Sequence, residues 1–283
     1  MRLISEEVLR GAAVEYLGQP SRVPVLVAFG LTGFLSNALA AQYLAGPYPH
    51  LELDLLHQAD QSRGSGPFLS DEDIAKANAG EGLTAFPLLW LQRTNDPKEP
   101  EAQALQMASQ QSFLRIHRGY RLARILKETT ADRAEAFRAG GFQERHRFPV
   151  GTPLPVLGGM LKQEHVVFEA RRSDFESVLP GSTVSYLFLY SPPRCGFTQF
   201  ERQVLERAAD SLTDEEIALA LGIRPGAVAL RWRSIYARVT KHVPAWFDAH
   251  ASPGSMSRGR EKRRRVISFV TEHPEELRPY PIQ

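Results

Sequence analysis

Along residues 197–243 the apolar positions recur with a helical period. Val204, Leu205 and Ala208 form one stripe, Ile217, Ala218 and Leu221 a second, and Val228, Trp232, Ile235 and Val239 a third at i, i+4, i+7 and i+11. Each predicts a short helix with one buried face. Before residue 192 the pattern changes. Strand-like runs at 23–29, 51–56, 83–91, 143–148, 165–170 and 186–190 alternate with helix-like stretches at 6–17, 71–79, 101–128 and 131–139, the alternation of an α/β domain. The apolar run 23–44 carries no charge, but Gly30, Gly33 and Asn37 interrupt it and it opens with the β-branched and aromatic residues of a buried strand, so a membrane span is not expected.

The run 186–190 is stopped by Ser191-Pro192-Pro193-Arg194, which sets the main boundary. Three segments result: an α/β domain of sensor type over 1–192, an all-α domain over 193–250, and a basic helical extension over 251–283. The extension comprises a small polar linker at 251–259, a helix at 261–272 and a Pro-rich end.

Two helix-start signatures lie fifteen residues apart. Thr198 with Glu201, and Thr213 with Glu216, each place a hydroxyl at the N-cap and a glutamate three residues on, so that the side chains satisfy orphan amides reciprocally. Gly222 suits a left-handed helix end, and Pro225 suits the first turn of a new helix. Only Ile223 and Arg224 lie between them, and two helices joined by so tight a glycine turn predict a helix-turn-helix.

The run FTQFERQVLERAADSLTDEEIALALGIRPGAVALRWRSIYARV, residues 197–239, resembles the LuxR-type DNA-binding domain of bacterial transcription regulators. The likeness rests on Glu201, Val204, Leu205, Glu216, Ile217, Ala218, Leu221, Ile223, Val228, Ile235 and the basic Arg238. Where that family usually has serine, threonine, lysine and histidine, this chain has Arg224, Ala227, Ala229 and Arg231. The resemblance implies base reading by Ala229, Leu230 and Arg233, of which Arg233 alone can hydrogen-bond a base edge while the other two can meet a thymine methyl. Arg224, Arg231, Arg238 and Lys241 lie where a basic side chain can meet phosphates. The partners so implied are double-stranded DNA and, because one short helix reads few base pairs, a second copy of the chain, with a seam expected at 243–247 unless Trp246 and Phe247 close the unit's own core.

Charge agrees with a polyanion partner. Residues 222–271 carry eleven Lys and Arg against Asp248 and Glu261, net +9, although the whole chain is only +2. Residues 258–265, rich in arginine, are read as an accessory phosphate clamp, with a solvated helix start as the alternative. With one cysteine, Cys195, there is neither a disulfide framework nor a thiolate zinc site, and a reducing cytoplasmic setting is expected. The first eighteen residues lack the uninterrupted apolar core of an export signal.

No catalytic constellation is legible, and the eight histidines show no paired metal-ligand spacing, so neither enzyme activity, metal nor cofactor is expected. The strand at 23–29 ends in Gly30-Leu31-Thr32 without the carboxylate a phosphate-accepting receiver needs. Residues 135–148 faintly resemble the helix-then-strand end of acetyltransferase folds, without a glycine loop for coenzyme A. The chain is therefore read as a DNA-binding regulator whose first domain senses a small molecule or partner, the rival being an acyltransferase-like enzyme with a helical appendage.

Overall fold

The computed structural model describes residues 9–17, 24–62, 65–94, 96, 98–176, 184–248 and 258–281. The chain divides into two compact units, Met1–Leu189 and Tyr190–Gln283.

The first unit is built on a six-stranded mixed sheet of β1 (Leu9–Leu17), β2 (Pro24–Leu35), β3 (Leu83–Gln92), β4 (Leu122–Thr130), β5 (Gln143–Phe148) and β6 (His165–Arg171), in the order β1-β2-β3-β4-β6-β5. All neighbours are antiparallel except β3 and β4. Alternation along the strands gives the sheet two apolar faces. Leu35, Phe86, Leu88, Leu126 and Val167 point to one, which α1 (Asn37–Ala45) and α2 (Leu51–Gln61) cover with Tyr43, Leu51 and Leu55. Phe34, Leu83, Ala85, Ile125, Val166 and Phe168 point to the other, with Ile74 of α3 (Asp71–Ala79) and Ala134 of α5 (Ala134–Ala139). The helix α4 (Ala102–His117) adds Leu105 beside Val27 and Ala28.

Pro87 has no amide to donate and sits where the β2–β3 register shifts, and the parallel β3–β4 pairing reaches only Ala85 and Ile125. Past that point the half-buried Lys127 side chain takes over, its Nζ donating to the Pro87 and Leu88 carbonyls at 2.9 and 3.3 Å. Burial, outweighing Glu52 and Glu128, pulls the Lys127 pKa below that of an ordinary lysine.

Several sequence expectations are overturned here. Residues 9–17 are the edge strand β1 and not a helix, paired with β2 over their whole length; the start of that expected helix, 6–8, lies outside the described residues. The run 51–56 belongs to a helix, because Leu51, Leu55 and Ala59 are buried at a spacing of four while the alternation seen over six residues is too short to fix a period. The long helix expected over 101–128 ends at His117. Gly119, at φ 85°, turns the chain into β4. The run 186–190 is no strand: Ser185–Phe188 is a 3-10 turn whose Leu187 and Phe188 fill the second face.

In the second unit α6 (Gln199–Ala209), α7 (Asp214–Leu221), α8 (Pro225–His242), α9 (Pro244–Asp248) and α10 (Arg258–Glu272) share one core. The described part of the expected extension 251–283 packs on this core. Val266, Phe269, Val270 and Leu277 are buried with Val204, Ile217, Val228, Trp232 and Val239. The expected linker 251–259 lies outside the described residues up to 257, and Gly259 is in α10.

Candidate nucleic-acid interface

Both capping boxes are formed. Thr198 and Thr213 each accept the amide three residues on, while Glu201 and Glu216 return a bond to the N-cap amide at 2.8 and 2.7 Å. α7 ends at Gly222, left-handed at φ 64° and ψ 31°, and α8 begins with Pro225 at its first turn, so three residues join the two helices. Val228, Trp232, Ile235 and Val239 are buried along α8 and turn this helix's opposite side outward.

That outward side is a stripe of Gly226, Ala229, Leu230, Arg233, Ala237 and Thr240, with Lys241 at its end, all exposed. Ala229 and Ala237 lie one turn to either side of Arg233, so another molecule can approach the helix closely there. Among the described residues Arg224, Arg233 and Lys241 make no hydrogen bond or ion pair, and are free to meet a ligand. Arg231 lies to one side, its guanidinium 5.4 Å from the centre of the exposed Phe200 ring.

Arg238, expected at a phosphate, is drawn inward instead. It reaches the Glu201 carboxylate at 3.1 Å and donates to the Gly196 carbonyl at 3.0 Å. Glu201 is buried and also accepts from Ser234 Oγ at 2.5 Å, tying α6 to α8. Burial alone would raise its pKa, but the bonds from Ser234 and Thr198 and the charge of Arg238 outweigh it and hold the carboxyl below its ordinary value.

The expected clamp is in part engaged within the unit. Arg263 donates to Asp214 and to the Leu212 carbonyl, both at 2.8 Å, and lies 5.1 Å over the Trp232 ring. Arg264 and Arg265 pair with Glu261 one turn back, which leaves Arg260 and Lys262 as the exposed cations without a partner among the residues described there. Cys195 is buried beside Glu276, whose oxygens accept the Arg194 and Cys195 amides. Burial first, then that carboxylate, pushes the thiol pKa far up and makes it a poor nucleophile.

The chain matches no known protein family and no curated protein.

The seam expected at 243–247 is occupied within the unit. Val243 is buried in the core, and the Trp246 ring meets Phe269 edge-on at 5.4 Å and His273 at 5.8 Å; the Phe247 side chain is not among those described. In the first unit, residues 135–148 do form a helix, a glycine turn and a strand. A polar group there was not legible in the sequence: His50, Glu128 and His165, far apart in the chain, lie together. Only their residue types could have signalled it, because their spacing follows no motif.

Proposed function

We propose that the chain is a transcription regulator of LuxR type, in which α7 and α8 form a helix-turn-helix and α8 enters the major groove of double-stranded DNA. The observation that carries this reading is the outward stripe of α8, apolar and mostly small residues around one unpaired arginine, opposite a fully buried apolar stripe. An arginine so placed suits a bidentate contact with guanine, and Ala229 and Leu230 suit a thymine methyl. Arg224, Arg231 and Lys241 flank the stripe and position the helix on phosphates. The first unit, with its separate core, is the sensor for a small molecule or partner. The regulator works as a dimer on paired half-sites, because a single α8 spans too few base pairs to be selective.

The test is binding of the full chain to a selected site and to random duplex at two salt concentrations. With Arg238 and Arg263 held internally, about four phosphate contacts per chain remain, about eight for the dimer, and affinity is expected to fall about 10⁴-fold between ~50 and ~200 mM salt. An affinity independent of salt overturns the reading. Arg233→Ala is expected to lower affinity for the selected site by about 1 to 3 kcal/mol and to leave random DNA nearly untouched, whereas Arg231→Ala weakens both alike and lowers the salt slope by about one. Equal losses on both DNAs for Arg233→Ala make it a phosphate contact. Light scattering of the protein on DNA should give the mass of two chains per duplex; one chain per site refutes the dimer.

A further inference from the structure

The first unit brings two imidazoles and a carboxylate together at one end of the sheet face covered by α1 and α2. Glu128 of β4 and His165 of β6 come from adjacent strands and sit on one face because of the antiparallel register, Glu128 opposite Val167 and Thr130 opposite His165. His50 arrives from the turn before α2. Its amide is held by both Glu128 oxygens at 3.0 and 2.9 Å, and its ring lies 4.7 Å from that of His165. One nitrogen or oxygen from each of the three side chains falls within 4.8 Å of the others. Ligands about 2.0 to 2.2 Å from a shared ion stand roughly 3.4 Å apart in a tetrahedron, so an ion displaces the proton now shared between His165 Nδ1 and Glu128 Oε1 at 2.8 Å while the side chains rotate to close the set.

Two further features suit a cation. His50 Nδ1 is 2.8 Å from Glu52 Oε1, an arrangement that places the proton on Nδ1 and leaves the Nε2 lone pair outward, as the outer carboxylate does for a metal-bound histidine. His50 also adopts φ 63° and ψ 42°, a left-handed conformation that surrounding contacts must impose on a non-glycine residue. The site is sheltered: Glu128 is 3% and His165 12% exposed in their side chains, with His50 at 23% nearest to solvent and open for entry.

We propose that His50, Glu128 and His165 form a binding site for a borderline divalent cation of the zinc class. Two imidazoles and one carboxylate favour such an ion over magnesium or calcium, which take oxygen sets. Three protein ligands leave a fourth position for water or a small anion. Glu52 is the outer partner that orients His50. The site belongs to the first unit alone and does not depend on the DNA-binding reading. The ligands are separated by 78 and 37 residues in the chain, so no local spacing announces them.

The experiment titrates the chelator-treated full chain with Zn²⁺ against a chromophoric competitor, with Co²⁺ as a spectroscopic substitute. One equivalent per chain, and visible Co²⁺ bands of a four- or five-coordinate nitrogen and oxygen site, are expected. His50→Asn is chosen because asparagine accepts the left-handed conformation, and His165→Gln because the amide retains a donor to Glu128. Both should fold, by circular dichroism, and lose more than about 100-fold in affinity, since even an outer-partner change such as Glu52→Gln should lose about 10- to 100-fold. Absence of a one-equivalent phase, or folded His50→Asn and His165→Gln proteins that bind like the parent, overturns the proposal and leaves the cluster as a hydrogen-bonded tie between β4, β6 and α2.

Discussion

Trp232→Ala is expected to unfold the second unit or bring it to the edge of unfolding. The ring is 5% exposed, stacks on Tyr236 at 5.5 Å, lies beneath the Arg263 guanidinium, and donates from Nε1 to Asp214 at 3.1 Å. Truncating a buried aromatic costs about 3 to 5 kcal/mol through lost burial and the cavity left behind. Here α10 also loses the surface on which Arg263 rests. A domain has only about 5 to 15 kcal/mol in total, so the loss is a large share of what holds the unit together. Trp232→Phe keeps most of the apolar surface and gives up the indole N–H, a loss of about 1 kcal/mol for the bond. Arg231→Ala, which removes an exposed side chain, should stay within about 0.5 kcal/mol of the parent. Denaturant melts followed by far-UV circular dichroism separate the three. If Trp232→Ala and Arg231→Ala melt together, the assignment of buried and outward faces on α8 is wrong.

The second large effect is expected at Glu201. Glu201→Gln keeps the shape but withdraws the charge that faces Arg238, and an amide cannot accept all the bonds from Thr198, Ser234 and Arg238 that the carboxylate accepts. Breaking a fully buried ion pair costs about 3 to 5 kcal/mol, but Arg238 is about one-third exposed and partly screened, so about 2 kcal/mol is expected. The pH dependence has a definite sign. The folded-state pKa of Glu201 is depressed below its ordinary 4.5, so its contribution is fully present above pH 4.5 and is lost as pH falls through the lower folded value. The parent second unit should therefore lose stability on acidification below about pH 4.5, and Glu201→Gln should show a shallower acid limb. Parallel acid limbs would mean that Glu201 does not carry the linkage. Because α6 and α8 are tied through this carboxylate, the same variant should weaken DNA binding only in proportion to the unfolded fraction.

The helices of the second unit were readable because their determinants are local. Thr198 with Glu201, and Thr213 with Glu216, act across three residues, Gly222 and Pro225 act on their own backbone, and the stripe of α8 follows from a helical repeat. The first unit was readable where strands are long and apolar, as in β3 and β6. It was misread where a short run fits two periods, as at 51–56, or where a single glycine such as Gly119 outweighs a long helix-like composition. β1 has Gly11, three alanines or valines and few turn signals, and becomes a strand only because β2 offers its edge. Tertiary context overrides propensity there.

The candidate interface divides along the same line. That α8 carries a basic outward side was legible from charge and period. Which cations are free was not, since it depends on carboxylates 37 and 49 residues away: Glu201 claims Arg238 and Asp214 claims Arg263. A count of arginines therefore overstated the charge available to a polyanion. The same holds in the first unit for His50, Glu128 and His165, whose meeting is a consequence of strand register and of one left-handed turn. Local sequence determines caps, turns and faces, because the energies that choose them act within one turn of chain. Pairings between charged and polar side chains are decided only when packing brings distant segments within hydrogen-bond reach, and until then each such group is satisfied equally well by water.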